Sequence, residues 1–250
     1  MSKKITDSPI QTELLVHDLK IPISVIDAGA KSLLNREDAY GPLTEKQKKV
    51  LKRIIRNTLC TQRLVNDILE LGRSREGVVA CVEFTLAGLV TSVLVEIFDY
   101  FDPSVAEAIR NARTLDGLCR AVKEKETRLC FDAPTWETRI CLDLAKVKQV
   151  LRNLVTNAFK HRSRFVEISG RVDGNQLVLI VRDDGRGIPK SDLQNIFKTY
   201  FTNGDILDST IQSHGLGLAG VLVLLKDMGG ELALVSEDGN GAEFIATIPF

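Results

Sequence analysis

Groups able to do chemistry are concentrated in a few short stretches of this chain. In His17-Asp18-Leu19-Lys20-Ile21-Pro22 an imidazole, a nitrogen nucleophile that is largely neutral at pH 7, stands beside a carboxylate. That carboxylate can orient the ring or take its remaining proton as the nitrogen attacks phosphorus. Asn153 and Asn157 are four residues apart on one helix face, with Lys160 and His161 one turn on. Two amides and an ammonium so placed suit a magnesium triphosphate, with Asn157 as an oxygen ligand and Asn153 and Lys160 on phosphate oxygens. Asp183 ends an apolar strand-like run and opens Asp183-Asp184-Gly185-Arg186-Gly187-Ile188-Pro189. Its carboxylate can only accept hydrogen bonds, as from the amino group of adenine. Gly185 and Gly187 turn the backbone with no Cβ, so a flat ligand is expected to rest against the turn. In His214-Gly215-Leu216-Gly217-Leu218-Ala219 glycine amides at a helix start can meet phosphates.

Each stretch has an ordinary reading: a bundle histidine, a solvated helix face, an acidic turn, a helix start. Their fixed order along one chain favours the chemical reading. Two asparagines inside a helix also oppose helical propensity, which implies a task.

Composition narrows the field. Lysine plus arginine equals aspartate plus glutamate at 33 each, so no global field draws the chain to nucleic acid or to an anionic membrane. Cys60, Cys81, Cys119, Cys130 and Cys141 are odd in number and contain no Cys-x-x-Cys pair. That pattern argues against a disulfide framework and a structural zinc site, and it points to a reducing cytoplasm. The longest apolar runs, 86–98 and 216–225, fall short of the roughly 20 residues of a membrane helix. They read as buried helices, and no membrane segment is expected.

The elements that position these residues begin with two long helices. Ser8-Pro9 is a helix start, and apolar spacing continues to about Arg36. Residues 37–43, with Gly41-Pro42, break the pattern. Thr44 and Gln47 form a capping box that opens a second helix, which is expected to run to Gly72. Pro22 has no N–H for the carbonyl of Asp18, so a bend is expected one turn after His17. A lone hairpin of helices about 40 to 45 Å long leaves its apolar stripes half covered. A homodimer through residues 8–76, forming a four-helix bundle, would cover them.

From residue 78 strand and helix patterns mix: strands at 78–84, 128–131 and 139–142, and helices at 86–100 and 142–160. A hairpin follows over 165–182 around Asp173-Gly174-Asn175, and two closing strands lie at 231–236 and 242–249. Residues 102–126 read as two helices, one opened by Asp102-Pro103 and one capped by Thr114. The fold class expected is α+β: a two-helix hairpin over residues 1–77, then a sandwich of mixed sheet on helices over 78–250.

His17, Asp18, Leu19, Lys20 and Pro22 resemble the phosphoacceptor helix of sensor histidine kinases. Asn153 to His161 is similar to the asparagine box of those kinases and of their wider superfamily with gyrase, heat-shock chaperones and mismatch-repair ATPases. The resemblance extends to Asp183-x-Gly185-x-Gly187 as the first glycine box, residues 196–202 as the phenylalanine box and residues 214–219 as the second glycine box. It implies ATP and Mg²⁺ as cofactors, with Asn157 on the metal. Asn153, Lys160, His161, Asp183, Gly185, Gly187, Ile188, Phe201, Gly215, Leu216 and Gly217 are the implied nucleotide contacts. It further implies autophosphorylation of His17 with Asp18 as base or orienter, then transfer to an aspartate on the receiver domain of a response regulator.

Relatives cross 102–126 with fewer residues, which marks an insertion, expected to be a surface elaboration, with a regulatory contact as the alternative. Where bifunctional relatives carry threonine or asparagine before the proline, this chain has Ile21, which cannot orient water. Weak phosphatase activity is therefore expected. The stretch 203–213, polar with one glycine, has the composition of a lid, and only Lys198 supplies a cation within the phenylalanine box. The competing functions are a superfamily ATPase, which would not need the His17 hexapeptide, and a dimeric nucleotide-binding scaffold without autokinase activity.

Overall fold

The computed structural model describes residues 9–74, 81–189 and 215–250, and it divides into two compact units, 1–76 and 77–250. In the first unit α1 (Pro9–Asn35) packs against α3 (Glu45–Ser74), with the one-turn α2 (Glu37–Tyr40) between them. α1 continues through Pro22 as one helix, and α3 passes Gly72 to end at Ser74. The break expected over 37–43 thus contains a helical turn, closed by Gly41 at φ +83°. The capping box forms as expected: the Thr44 N–H donates to Gln47 Oε1 at 2.8 Å, and the Gln47 N–H donates to Thr44 Oγ1 at 3.3 Å. Val16, Ile23 and Val65 form the buried seam between the two helices.

The second unit is a five-stranded sheet in the order β2-β4-β5-β7-β6, with a separate β1-β3 ladder. Its strands are β1 (Cys81–Thr85), β2 (Thr127–Cys130), β3 (Arg139–Asp143), β4 (Val166–Asp173), β5 (Gln176–Asp183), β6 (Glu231–Ser236) and β7 (Ala242–Pro249). β2 runs parallel to β4 and every other pairing is antiparallel. The helices are α4 (Leu86–Phe101), α5 (Pro103–Asn111), α6 (Leu115–Lys123), α7 (Ala133–Glu137), α8 (Leu144–His161) and α9 (Gly215–Asp227). α4, α8 and α9 join the inward faces of β4, β5 and β7 in one continuous core. This mixed sheet packed on helices is the fold class that the strand and helix patterns implied.

Two expectations are corrected. Residues 102–126 are no surface elaboration, because Val105, Ala106 and Ile109 of α5 and Leu118 and Val122 of α6 are buried in that common core. Their apolar spacing, four and three residues apart, turns one face of each helix inward. The base of this segment is closed by an ion pair, Lys125 Nζ to Asp102 Oδ2 at 2.6 Å. Lys125, followed by the Ser104 hydroxyl, holds the Asp102 carboxyl down to about 2.

The second correction concerns cysteine. Cys81 and Cys141 are joined as a disulfide, where none was expected. The two lie 60 residues apart in sequence, but they stand diagonally across the β1-β3 ladder on the same face. Cys119 and Cys130 are free thiols, and burial pushes both above the ordinary thiol value.

On α8 Val147, Val150, Leu151, Leu154, Val155 and Ala158 are buried, and so are Lys146 and Gln149. Lys146 Nζ lies 3.7 Å from Asp227 Oδ2 at the end of α9, and neither atom has a hydrogen bond among the described residues.

If 102–126 is core, Ile109→Ala should cost about 2 to 5 kcal/mol of stability, as a large-to-small change in a packed interior does. Urea denaturation of the full chain measures it, and a loss within about 0.5 kcal/mol would assign the segment to the surface.

Candidate functional site

β5 is the middle strand of its sheet, and Asp183 is its last residue, paired with Val166 of β4 and Ala242 of β7. The side chain is 2% exposed at the floor of a cleft. Asn157 and His161 from α8, Arg186, Gly187 and Ile188 from the turn, Leu218 from α9, and Ala242 and Phe244 from β7 line that cleft with it. Among the expected site residues the structure therefore gathers Asn157, His161, Asp183, Gly187 and Ile188 around one opening. Gly185 is buried behind it, while Asn153 and Lys160 lie on α8 outside this lining. Gly215, Leu216 and Gly217 form the first turn of α9. Phe201 and the 203–213 stretch lie outside the described residues. So does the His17 side chain, although its backbone lies within α1, where Asp18 is exposed.

The glycines have a different reason from the one the sequence suggested. At Gly185 a Cβ would collide with the carbonyl of His161, and at Gly187, held at φ +74°, with the carbonyl of Glu237. Gly241, at φ +77°, meets the Asp183 carbonyl in the same way. Side chains are absent because protein backbone fills the space, whereas the turn was expected to leave it for a ligand. Ser236 completes the clamp: its hydroxyl donates to the Gly241 carbonyl at 2.6 Å and accepts from the Ile188 N–H at 2.9 Å. The Gly239 N–H donates to the Arg186 carbonyl at 2.6 Å.

The two adjacent aspartates do different work. Burial raises the Asp183 pKa above its ordinary value, against the pull of the Gly185 N–H, which donates to Oδ1 at 2.8 Å, and of nearby His161. Asp184 behaves oppositely. Burial would push it up, but the N–H groups of Arg164 and Phe165, both at 2.9 Å, and of Ser163 at 3.2 Å outweigh that and leave it lowered. Asp184 thereby ties down the chain leaving α8, the helix that carries Asn157 and His161. The Arg162 guanidinium stacks over Phe159 at 4.5 Å and donates to the Lys125 carbonyl at 2.6 Å, fixing the same helix end to the base of the 102–126 segment.

Sequence reasoning missed Asp184, Arg186, Leu218, Ala242 and Phe244. The first two lie inside the first glycine stretch and Leu218 inside the second, where none was given a role. Ala242 and Phe244 come from β7, and only strand pairing brings them to the cleft.

A raised folded-state pKa means that Asp183 favours folding below its ordinary value of 3.8 and gives that contribution up as pH rises through the folded value. Asp183→Asn keeps an acceptor for the Gly185 N–H and removes the buried charge. Its unfolding midpoint at pH 7 should match or exceed the parent's, and the difference should close as pH falls towards 4. A lower midpoint for the variant at pH 7 would contradict this.

Residues 12–77 match the family model described as His Kinase A (phospho-acceptor) domain. Residues 142–250 match that of the histidine kinase-, DNA gyrase B- and HSP90-like ATPases. The chain is 29% identical over 248 residues to the circadian input-output histidine kinase CikA of Synechococcus elongatus, covering 93% of this chain and 29% of that protein. It is 32% identical over 142 residues to the sensor histidine kinase RcsC of Escherichia coli K12, covering 56% of this chain and 15% of RcsC. The chain thus spans less than a third of either relative. In fold it is similar to full-length ShkA crystallised with AMPPNP, with a TM-score of 0.65, 24% identity, and coverage of 97% of this chain and 46% of that one. It is also similar in fold to the histidine kinase AdeS of Acinetobacter baumannii, with a TM-score of 0.54, 18% identity, and coverage of 93% and 97%. With a phosphoacceptor-type hairpin followed by an ATPase-type sandwich in a single chain, it belongs to the sensor histidine kinases of two-component systems.

Proposed function

We propose that this chain is an ATP-dependent protein histidine kinase. The observation that carries the reading is the cleft in which a buried carboxylate at the end of β5 faces Asn157 and His161 of α8, in a chain whose first helix bears His17-Asp18. Asp183 would accept from the adenine amino group. Burying this carboxylate costs free energy, and a ligand donor to it would offset part of the cost.

The donor set suits magnesium. No cluster of three His, Cys, Asp or Glu occurs among the described residues, and Mg²⁺ held largely by phosphate oxygens and water needs only one protein oxygen, which Asn157 would supply. Magnesium would neutralise charge on the phosphates. His17 would attack the γ-phosphorus in line, forming the N–P bond as the P–O bond to ADP breaks, with Asp18 orienting the ring or taking its proton. The phosphoryl group would then pass to an aspartate on a response regulator's receiver domain.

Ile21, 54% exposed at the position where a polar side chain would orient water, supports weak phosphatase activity towards that partner. Val25, Ile26, Leu19 and Leu33 of α1 are also exposed in the single hairpin, with Val25 at 67%. Such a stripe supports pairing of two copies through residues 8–76. No helix among the described residues is long and apolar enough to cross a membrane.

Incubation with γ-labelled ATP tests the reading. The parent should acquire an alkali-stable, acid-labile label that His17→Gln lacks while still binding ATP. The phosphorylated regulator should keep its label when kinase and ADP are added. Labelling of His17→Gln, or none of the parent, would refute kinase activity through this residue. Light scattering at micromolar concentration should give a dimer mass, and a monomer would remove the four-helix bundle.

A further inference from the structure

Arg186 is the residue with a permanent positive charge among those described around the cleft, and no role has been assigned to it. Its backbone is fixed from three directions. Gly185 and Gly187 on either side are pressed against the carbonyls of His161 and Glu237, and its own carbonyl accepts from the Gly239 N–H at 2.6 Å. The side chain therefore leaves a rigid platform at the cleft. Its guanidinium is exposed, and among the described residues no carboxylate pairs with it. What distinguishes Arg186 is its place on the cleft lining, where an unpaired guanidinium can take an anionic ligand.

Charge balance points the same way. Asp183 puts an acidic group in the cleft. Magnesium offsets only part of the charge on a triphosphate, so a cation held by the protein is needed. Lys160, the cation implied for this task, lies outside the cleft lining.

We propose that Arg186 binds the phosphates of the nucleotide, its planar guanidinium pairing with their oxygens. The inference rests on the nucleotide reading above. A guanidinium fork matches two phosphate oxygens at once, and a preorganised backbone limits the entropy lost on binding.

Calorimetric titration of the full chain with Mg²⁺-ATP, ADP and adenosine tests it. Parent binding of ATP checks the nucleotide reading separately, and its absence would sink both. Given parent binding, Arg186→Ala should weaken ATP roughly tenfold, the size of one charge-assisted contact. Adenosine should bind as it does to the parent, and the ATP difference should shrink as salt rises. Arg186→Lys should recover part of the loss. Should the alanine variant unfold at a lower temperature, Arg186→Gln, which keeps the aliphatic stem, gives the same readout. Unchanged ATP affinity, or an equal loss for adenosine and ATP, would overturn the proposal. The first removes the contact, and the second moves it to the base or to the fold.

Discussion

Three backbone segments meet around Asp183 with no room for a methyl group at the points where they touch. The turn after β5 presses on the end of α8 through Gly185 and on the β6-β7 turn through Gly187, while Gly241 presses back on the carbonyl of Asp183 itself. Main chain in contact with main chain cannot yield as a side-chain contact can, because neither party has a rotamer to change. The cleft inherits that stiffness. Asn157 and His161 stand on a helix whose end is tied by Asp184 and Arg162, so the amide, the imidazole and the carboxylate keep their separations before any ligand arrives. Such preorganisation is what a site needs if binding is not to be spent on ordering it.

Much of this was legible in the residues. The two closing strands, on either side of a Gly-rich turn, have the bounds expected for β6 and β7, Thr44 with Gln47 announced α3, and Asp102 and Thr114 capped α5 and α6 as their chemistry suggested. The cleft was half legible. Asp183 and Asn157 are polar groups where apolar ones would be easier to bury or fold, and that cost is visible in a sequence. Leu218, Ala242 and Phe244 are ordinary apolar residues, and nothing local separates a cleft wall from a core wall. Gly185 and Gly187 were recognised as special for a reason that the structure replaces, since a sequence shows that a Cβ is missing without showing what occupies its place.

The 102–126 segment shows how reading extra length against relatives goes wrong. Its charged run at 123–126 and its broken helices look like surface decoration. Burial is decided by five apolar positions at helical spacing, which a list of charges hides. Because Lys125 also offers its carbonyl to Arg162, the segment is joined to the end of the helix that carries the asparagines. The Cys81–Cys141 bond escaped for a related reason. Parity and spacing describe cysteines along the chain, whereas the β1-β3 ladder brings together two that lie far apart in it.

Lys146 and Asp227 have a consequence for motion. A buried ammonium and a buried carboxylate oxygen 3.7 Å apart, neither with a hydrogen bond among the described residues, are tolerable only while they face each other. Sliding α9 along α8 would strand a charge in a nonpolar interior, at a penalty of several kcal/mol. The two helices are in effect pinned, like a hinge leaf screwed to its frame.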